Sequence, residues 1–103
     1  MMNFSNPLPQ TLQVGWRTYT ITPVDLLQDE DGTRLNGHIK YSEEIIYIDS
    51  SLPLKFQWAS LIHELLHAVA YANGDRLGEE DIHGLAEGIM SVLYRNAPEL
   101  DSL

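Results

Sequence analysis

Along the first half of the chain apolar and polar residues alternate in short extended runs; beyond Ser51 the apolar residues recur at helical spacing. In residues 14–22, Val14, Trp16, Thr18, Thr20 and Thr22 share one side of an extended chain, with Arg17, Tyr19 and Ile21 on the other. This β-branched and aromatic run predicts a first strand, ended by Pro23. Residues 35–41 predict a second strand and residues 45–49 a third. The tight turn Ser42-Glu43-Glu44 joins these two as an antiparallel hairpin. Ser50 or Ser51 is the natural N-cap of a long helix, with Pro53 in its first turn. That helix runs to Ala72 or Asn73, where Gly74 can take the left-handed C′ position. A second, amphipathic helix runs from Glu79 to about Asn96, with Ile82, Leu85, Ala86, Ile89, Val92 and Leu93 as its apolar face, and Pro98 ends it.

The remaining segments connect. Residues 1–11 hold Pro7 and Pro9 without periodicity and read as a loose lead-in. Asp25, Asp29, Glu30 and Asp31 precede Gly32, but the spacing and distal glutamate of a calcium-binding EF-hand are missing, so an exposed loop is expected there. His38, on the second strand, is expected to be a partly exposed strand residue rather than a substrate contact. No repeat or composition shift divides the chain, and 103 residues make one domain, 1–103.

The chemistry concentrates in the long helix. His63-Glu64-Leu65-Leu66-His67 is an H-E-x-x-H pentad. A helix turns 100° per residue, so His63 and His67 stack one turn apart on one face and can both reach one Zn²⁺. Glu64 lies about 100° round from His63. There it can accept a proton from an activated water without ligating the metal. Leu61, Ile62, Leu65, Leu66, Ala68, Val69 and Ala70 surround the pair, so the histidines are not ordinary solvated surface residues.

Composition narrows the alternatives. There are no cysteines, which removes disulfides, cysteine-type zinc sites and thiol catalysis; four histidines and fifteen acidic residues are the strong ligands present. A net charge of −9 disfavours nucleic acid as a partner. No apolar run is long enough for a membrane span, and residues 1–7 lack the pattern of a signal peptide. A cytoplasmic protein acting on peptide or protein substrates is expected.

A catalytic zinc takes three protein ligands and one open position. Two arguments choose differently among the candidates for the third. Projected at 100° per residue, Glu79 lies about 60° from Ile82, inside the edge of the apolar arc; His83 lies roughly 100° off it and Glu87 about 140° off. By phase, Glu79 is favoured. A second helix folding straight back antiparallel would need several residues to come level with His67, which favours His83 or Glu87.

The chain resembles the small phage-encoded relatives of the ImmA/IrrE metallopeptidases. In that group H-E-x-x-H is followed by a helix of pattern E-x-x-[small or aliphatic]-x-x-[FL]-A, and here Glu79-x-x-Ile82-x-x-Leu85-Ala86 is similar to it. The tail Val92-Leu93-Tyr94-Arg95-Asn96-Ala97-Pro98-Glu99-Leu100 is likewise similar to a V-L-x-x-N-P-E-L ending, with Ala97 inserted. The chain departs from the group in having Leu66, where glycine often precedes the second histidine, and in lacking a helix-turn-helix domain and the L-L-M-P segment.

The resemblance implies Glu79 as the third ligand. Together these readings predict an α+β, zincin-like minimal domain: a three-stranded antiparallel sheet packed on the H-E-x-x-H helix, plus a C-terminal helix. The expected function is zinc-dependent peptide hydrolysis, with His63, His67 and Glu79 on Zn²⁺ and Glu64 as general base. The third strand is expected at the sheet edge, where extended substrate can add. Tyr71, Tyr94 and His83 are candidates to stabilise the oxyanion. The alternative is a non-catalytic, zinc-stabilised binding module, such as a phage protein that occupies a host factor.

Overall fold

Gly15 turns the first extended run back on itself. The computed structural model describes residues 6–74 and 77–95, apart from the side chain of Tyr94. In it the run expected as one strand is a hairpin: β1 (Thr11–Val14) and β2 (Arg17–Val24) are antiparallel, with Val14 opposite Arg17. The two-residue turn places Gly15 at φ +61, the conformation that the first central residue of a type II′ turn requires and that glycine adopts without strain. The lead-in therefore gives way to strand at Thr11. Pro23 does not end β2. Successive amides alternate sides: Thr20 N–H donates to Glu44 O and Ile21 N–H to Gln10 O. The missing N–H of Pro23 thus faces the β1 side at a level where β1 has run out, a position that a proline can hold.

The sheet has four strands in the order β1-β2-β4-β3, with β3 at Gly37–Lys40 and β4 at Ile45–Asp49. The β3–β4 hairpin is antiparallel, as expected, with Ile39 opposite Ile46. The sheet is not three-stranded and antiparallel but mixed, because β2 and β4 pair in parallel, Ile21 beside Ile46. The chain reverses twice between them, once through residues 25–36 and once through 41–44, so β4 returns in the direction of β2. This also corrects the expected edge: β4 lies inside the sheet, and β3 is an edge strand.

The core forms where the alternating faces meet the first helix. Tyr19 and Ile21 of β2 and Ile46 and Ile48 of β4 are buried against Leu61 and Ala68 of α1 (Leu54–Ala72). Pro53, not a serine, stands at the N-cap of α1, without a side-chain cap hydrogen bond. Ser51 is engaged elsewhere. Its N–H and hydroxyl both donate to Asp49 Oδ1, at 2.9 and 2.7 Å. Asp49 also accepts from Leu26 N–H and Arg34 Nη2, so this buried carboxylate ties the 25–36 loop to the entry of α1. At the other end of α1, Gly74 takes φ +69.

The second helix, α2 (Glu79–Arg95), packs on α1 alone among the described elements. A helix with one neighbour buries a narrow stripe. Here the stripe is Ile82, Ala86 and Met90, with Leu93 packed against it, while Leu85, Ile89 and Val92, expected on the apolar face, are exposed. Ile62 of α1 meets Ala86 and Met90, so α2 runs back along α1. The architecture is α+β, in three layers: sheet, α1, α2. Among the described residues no helix is long and apolar enough to cross a membrane.

Candidate metal centre

His63 and His67 present their rings on one side of α1, with centroids 5.1 Å apart. Both reach the same carboxylate: His63 Nε2 lies 2.7 Å from Glu79 Oε1, and His67 Nε2 lies 2.9 Å from Glu79 Oε2. Glu79 is the first residue of α2, one turn before Ile82, whose fully buried side chain anchors that helix on α1. The connection after α1 has already brought the chain level with the histidines when α2 begins, so the return consumes no residues of α2. Burial acts to raise the pKa of Glu79, but its hydrogen bond to His63 and the neighbouring histidine charges prevail and lower it.

Among the described residues His63, His67 and Glu79 form the one group able to hold a metal ion, with ligand atoms all within 4.8 Å of one another. Two imidazole nitrogens and a glutamate oxygen are the donor set of one class of catalytic zinc site. Ligands about 2.1 Å from a tetrahedral ion stand roughly 3.4 Å apart. The observed separations are of that order, so these residues fit a divalent ion entering in place of the two hydrogen bonds.

Glu64 points elsewhere. It is only 7% exposed and lies against β3, where Gly37 leaves it room: a Cβ on Gly37 would stand 3.1 Å from Glu64 Oε2. Burial, reinforced by the negative charge of Glu79, pushes the pKa of Glu64 up to about 7. A carboxyl poised there can take and return a proton near neutral pH.

The other sequence candidates are placed as follows. His83 is largely exposed, 3.1 Å from Glu87 Oε1 through Nε2, with its ring centroid 6.2 Å from that of His63. Both His83 and Glu87 line the cleft beside the centre without joining the three-residue group. Tyr71, one turn beyond His67, stacks on Tyr41 at 4.2 Å and lies beneath the guanidinium of Arg17. The side chain of Tyr94 lies outside the described residues. His38 is exposed on β3.

Tyr41 was not anticipated. Its hydroxyl pKa is raised by burial first and by the Glu64 carboxylate next, and its ring stacks on Tyr71, one turn beyond His67. A tyrosine at the end of a strand carries no sequence signal for this, since its position depends on how β3 lies along α1.

The cleft beside the centre has a volume of about 740 Å³ and runs between α1 and α2 from His63 toward Phe56, with Asn36 and Gly37 at its β3 side. Asp49 N–H donates to Asn36 O, so backbone alternation turns the amides of Gly37 and Ile39 away from β4, toward the outer edge of the sheet. No protein-family model, curated protein or solved structure matches the chain.

Proposed function

We propose that this chain is a zinc-dependent peptidase of the H-E-x-x-H type. The observation that carries the reading is the separation of roles among four neighbouring side chains. His63, His67 and Glu79 converge on one point, while Glu64 stays outside that group, buried against Gly37. A site that served folding alone would have no use for a buried carboxyl poised beside it. The motif likeness to the small phage-encoded ImmA/IrrE metallopeptidases points the same way.

His63, His67 and Glu79 would hold the ion, leaving a fourth position open. A bound Zn²⁺ would supply a Lewis acid that lowers the pKa of water and polarises a peptide carbonyl. Glu64 accepts the proton of the attacking water on a carboxylate oxygen and returns it to the leaving amine. The outward amides of Gly37 and Ile39 would hold an extended substrate strand at the edge of β3, beside Glu64. Tyr41, stacked on Tyr71 one turn beyond His67, and His83, paired with Glu87 beside the centre, are the candidate donors to the developing oxyanion.

The test is hydrolysis of a peptide library by the zinc-loaded protein and by Glu64→Gln. The variant should keep the metal and lose on the order of 10²–10⁴ in rate. Equal turnover by the two would remove the enzyme reading and leave a zinc-stabilised binding module.

A further inference from the structure

The cleft continues well past the residues assigned to metal and proton transfer, and its lining changes character with distance. At one end stand His63, Glu64, Glu79 and His83. One turn along α1 from His63 and one turn along α2 from His83 come Ala59 and Ala86, two small side chains that line the cleft where the helices pack. Beyond these, Leu52, Phe56 and Met90 supply an apolar wall, and Lys55, Glu87 and Ser91 also line the cleft. Phe56 is half exposed and belongs to neither buried core cluster of the described residues, and Lys55 Nζ stands 5.2 Å from its ring centroid. A volume of about 740 Å³ is within the range of pockets that enclose small ligands, roughly 300–1,000 Å³.

We infer that this arm of the cleft is a specificity subsite that takes a large apolar side chain, aliphatic or aromatic, from the residue next to the scissile bond. The inference rests on the peptidase reading for its orientation, because the metal end fixes where the reacting carbonyl lies. Its selectivity comes from this chain's own residues. Ala59 and Ala86 admit the side chain, and Leu52, Phe56 and Met90 remove its surface from water. A short or charged side chain at the same position would leave that wall wet or lose its own hydration, and would gain correspondingly less.

The experiment uses hydroxamates of graded size as probes, since the head group binds zinc while the tail reports on the adjoining wall. Acetohydroxamate, 4-methylpentanohydroxamate and 3-phenylpropionohydroxamate are titrated against the zinc-loaded full chain by calorimetry. The two larger probes should bind at least about tenfold more tightly than acetohydroxamate, as burial of several methylene equivalents requires. Ala59→Phe, which fills the entrance, should bring the ratio below about threefold while acetohydroxamate and zinc affinity hold. Phe56→Asp, a change at a half-exposed position that the core does not need, should do the same even if Ala59→Phe folds poorly.

Equal binding of all three probes by the wild type would overturn the subsite and leave the metal centre standing. An unchanged ratio in Phe56→Asp would overturn it as well. Graded binding, abolished by either variant, would support the subsite even if no peptide were hydrolysed, in which case the peptidase reading alone would fall. A folded protein that took up no zinc would overturn both.

Discussion

Gly37 and Glu64 are in contact across the β3–α1 interface, and the contact depends on the missing side chain of Gly37: a Cβ there would lie 3.1 Å from Oε2 and 3.2 Å from Cγ of Glu64. The strand proposed to receive substrate thus also sets the position of Glu64, the proposed general base. One backbone approach couples the two halves of the proposed site.

Gly37→Ala should therefore act on catalysis before it acts on the metal. The Glu64 carboxylate would have to withdraw by a few tenths of an ångström, and overpacking of this kind costs on the order of 1 kcal/mol. Turnover should fall at least about tenfold, as expected when a positioned proton-transfer group is displaced. Zinc affinity should change little, because the atoms nearest a Cβ on Gly37 belong to Glu64 and Ile48 and not to the three proposed ligands. Steady-state hydrolysis alongside zinc competition separates the two, and unchanged turnover in a folded variant would contradict the assigned role of the contact.

Asp49 predicts a dependence of stability on pH. The hydroxyl of Ser51 and the guanidinium of Arg34 donate to its carboxylate and, against the effect of burial, hold its pKa well below the ordinary value of 3.8. A carboxyl with a depressed folded-state pKa contributes stability that is present above its unfolded value and is lost as pH falls below it. Asp49→Asn should accordingly be less stable than the wild type at pH 7, by a margin that narrows as pH falls through 4 toward 3. Urea unfolding at pH 7, 5 and 3.5 measures that margin, and a constant difference across the series would contradict the assignment.

Removing a histidine should cost both metal and stability. His63→Ala and His67→Ala each delete one of the two imidazoles that meet Glu79. Where a metal binds the folded state alone, its binding free energy adds to folding. The zinc-loaded wild type should thus melt well above the same protein in a chelator, and each alanine variant should melt at one temperature in both conditions. A wild type indifferent to chelation would count against a bound metal.

The legible parts of the fold and site are those that need only one element at a time. His63, Glu64 and His67 lie on one helix, so their relative directions follow from 100° per residue alone. Glu79 could be phased from Ile82 for the same reason. The competing distance argument misjudged how the chain returns: it assigned the return to α2, whereas the chain is level with His67 before α2 starts.

Strand pairing was less legible, because a period of two shows that a strand has a buried face without showing its neighbour. The turn at 42–44 was legible, but the parallel β2–β4 contact and the edge position of β3 depend on which strand of that hairpin docks on β2, which no local pattern encodes. The β1–β2 turn did leave a sign, Gly15 inside an otherwise strand-like run, but Trp16 and Arg17 continue the β pattern across it. On α2 the apolar residues outnumber what one neighbouring helix can cover, so Leu85, Ile89 and Val92 mark a face that hydrophobicity alone placed inside.

The central claim is that His63, His67 and Glu79 together hold one divalent metal, and Glu79 is its most exposed member, with 70% of its side-chain surface accessible. Glu87 is a fair control, since it is also a glutamate, lies on the same helix and lines the same cleft, but pairs with His83 instead. The most direct measurement is zinc competition against a chromophoric chelator for the wild type, Glu79→Gln and Glu87→Gln. The account predicts about one zinc per wild-type chain and at least a tenfold weakening in Glu79→Gln, or about 1.4 kcal/mol. In Glu87→Gln it predicts a change within about 0.5 kcal/mol. Loss of the metal from Glu87→Gln with retention by Glu79→Gln would contradict it.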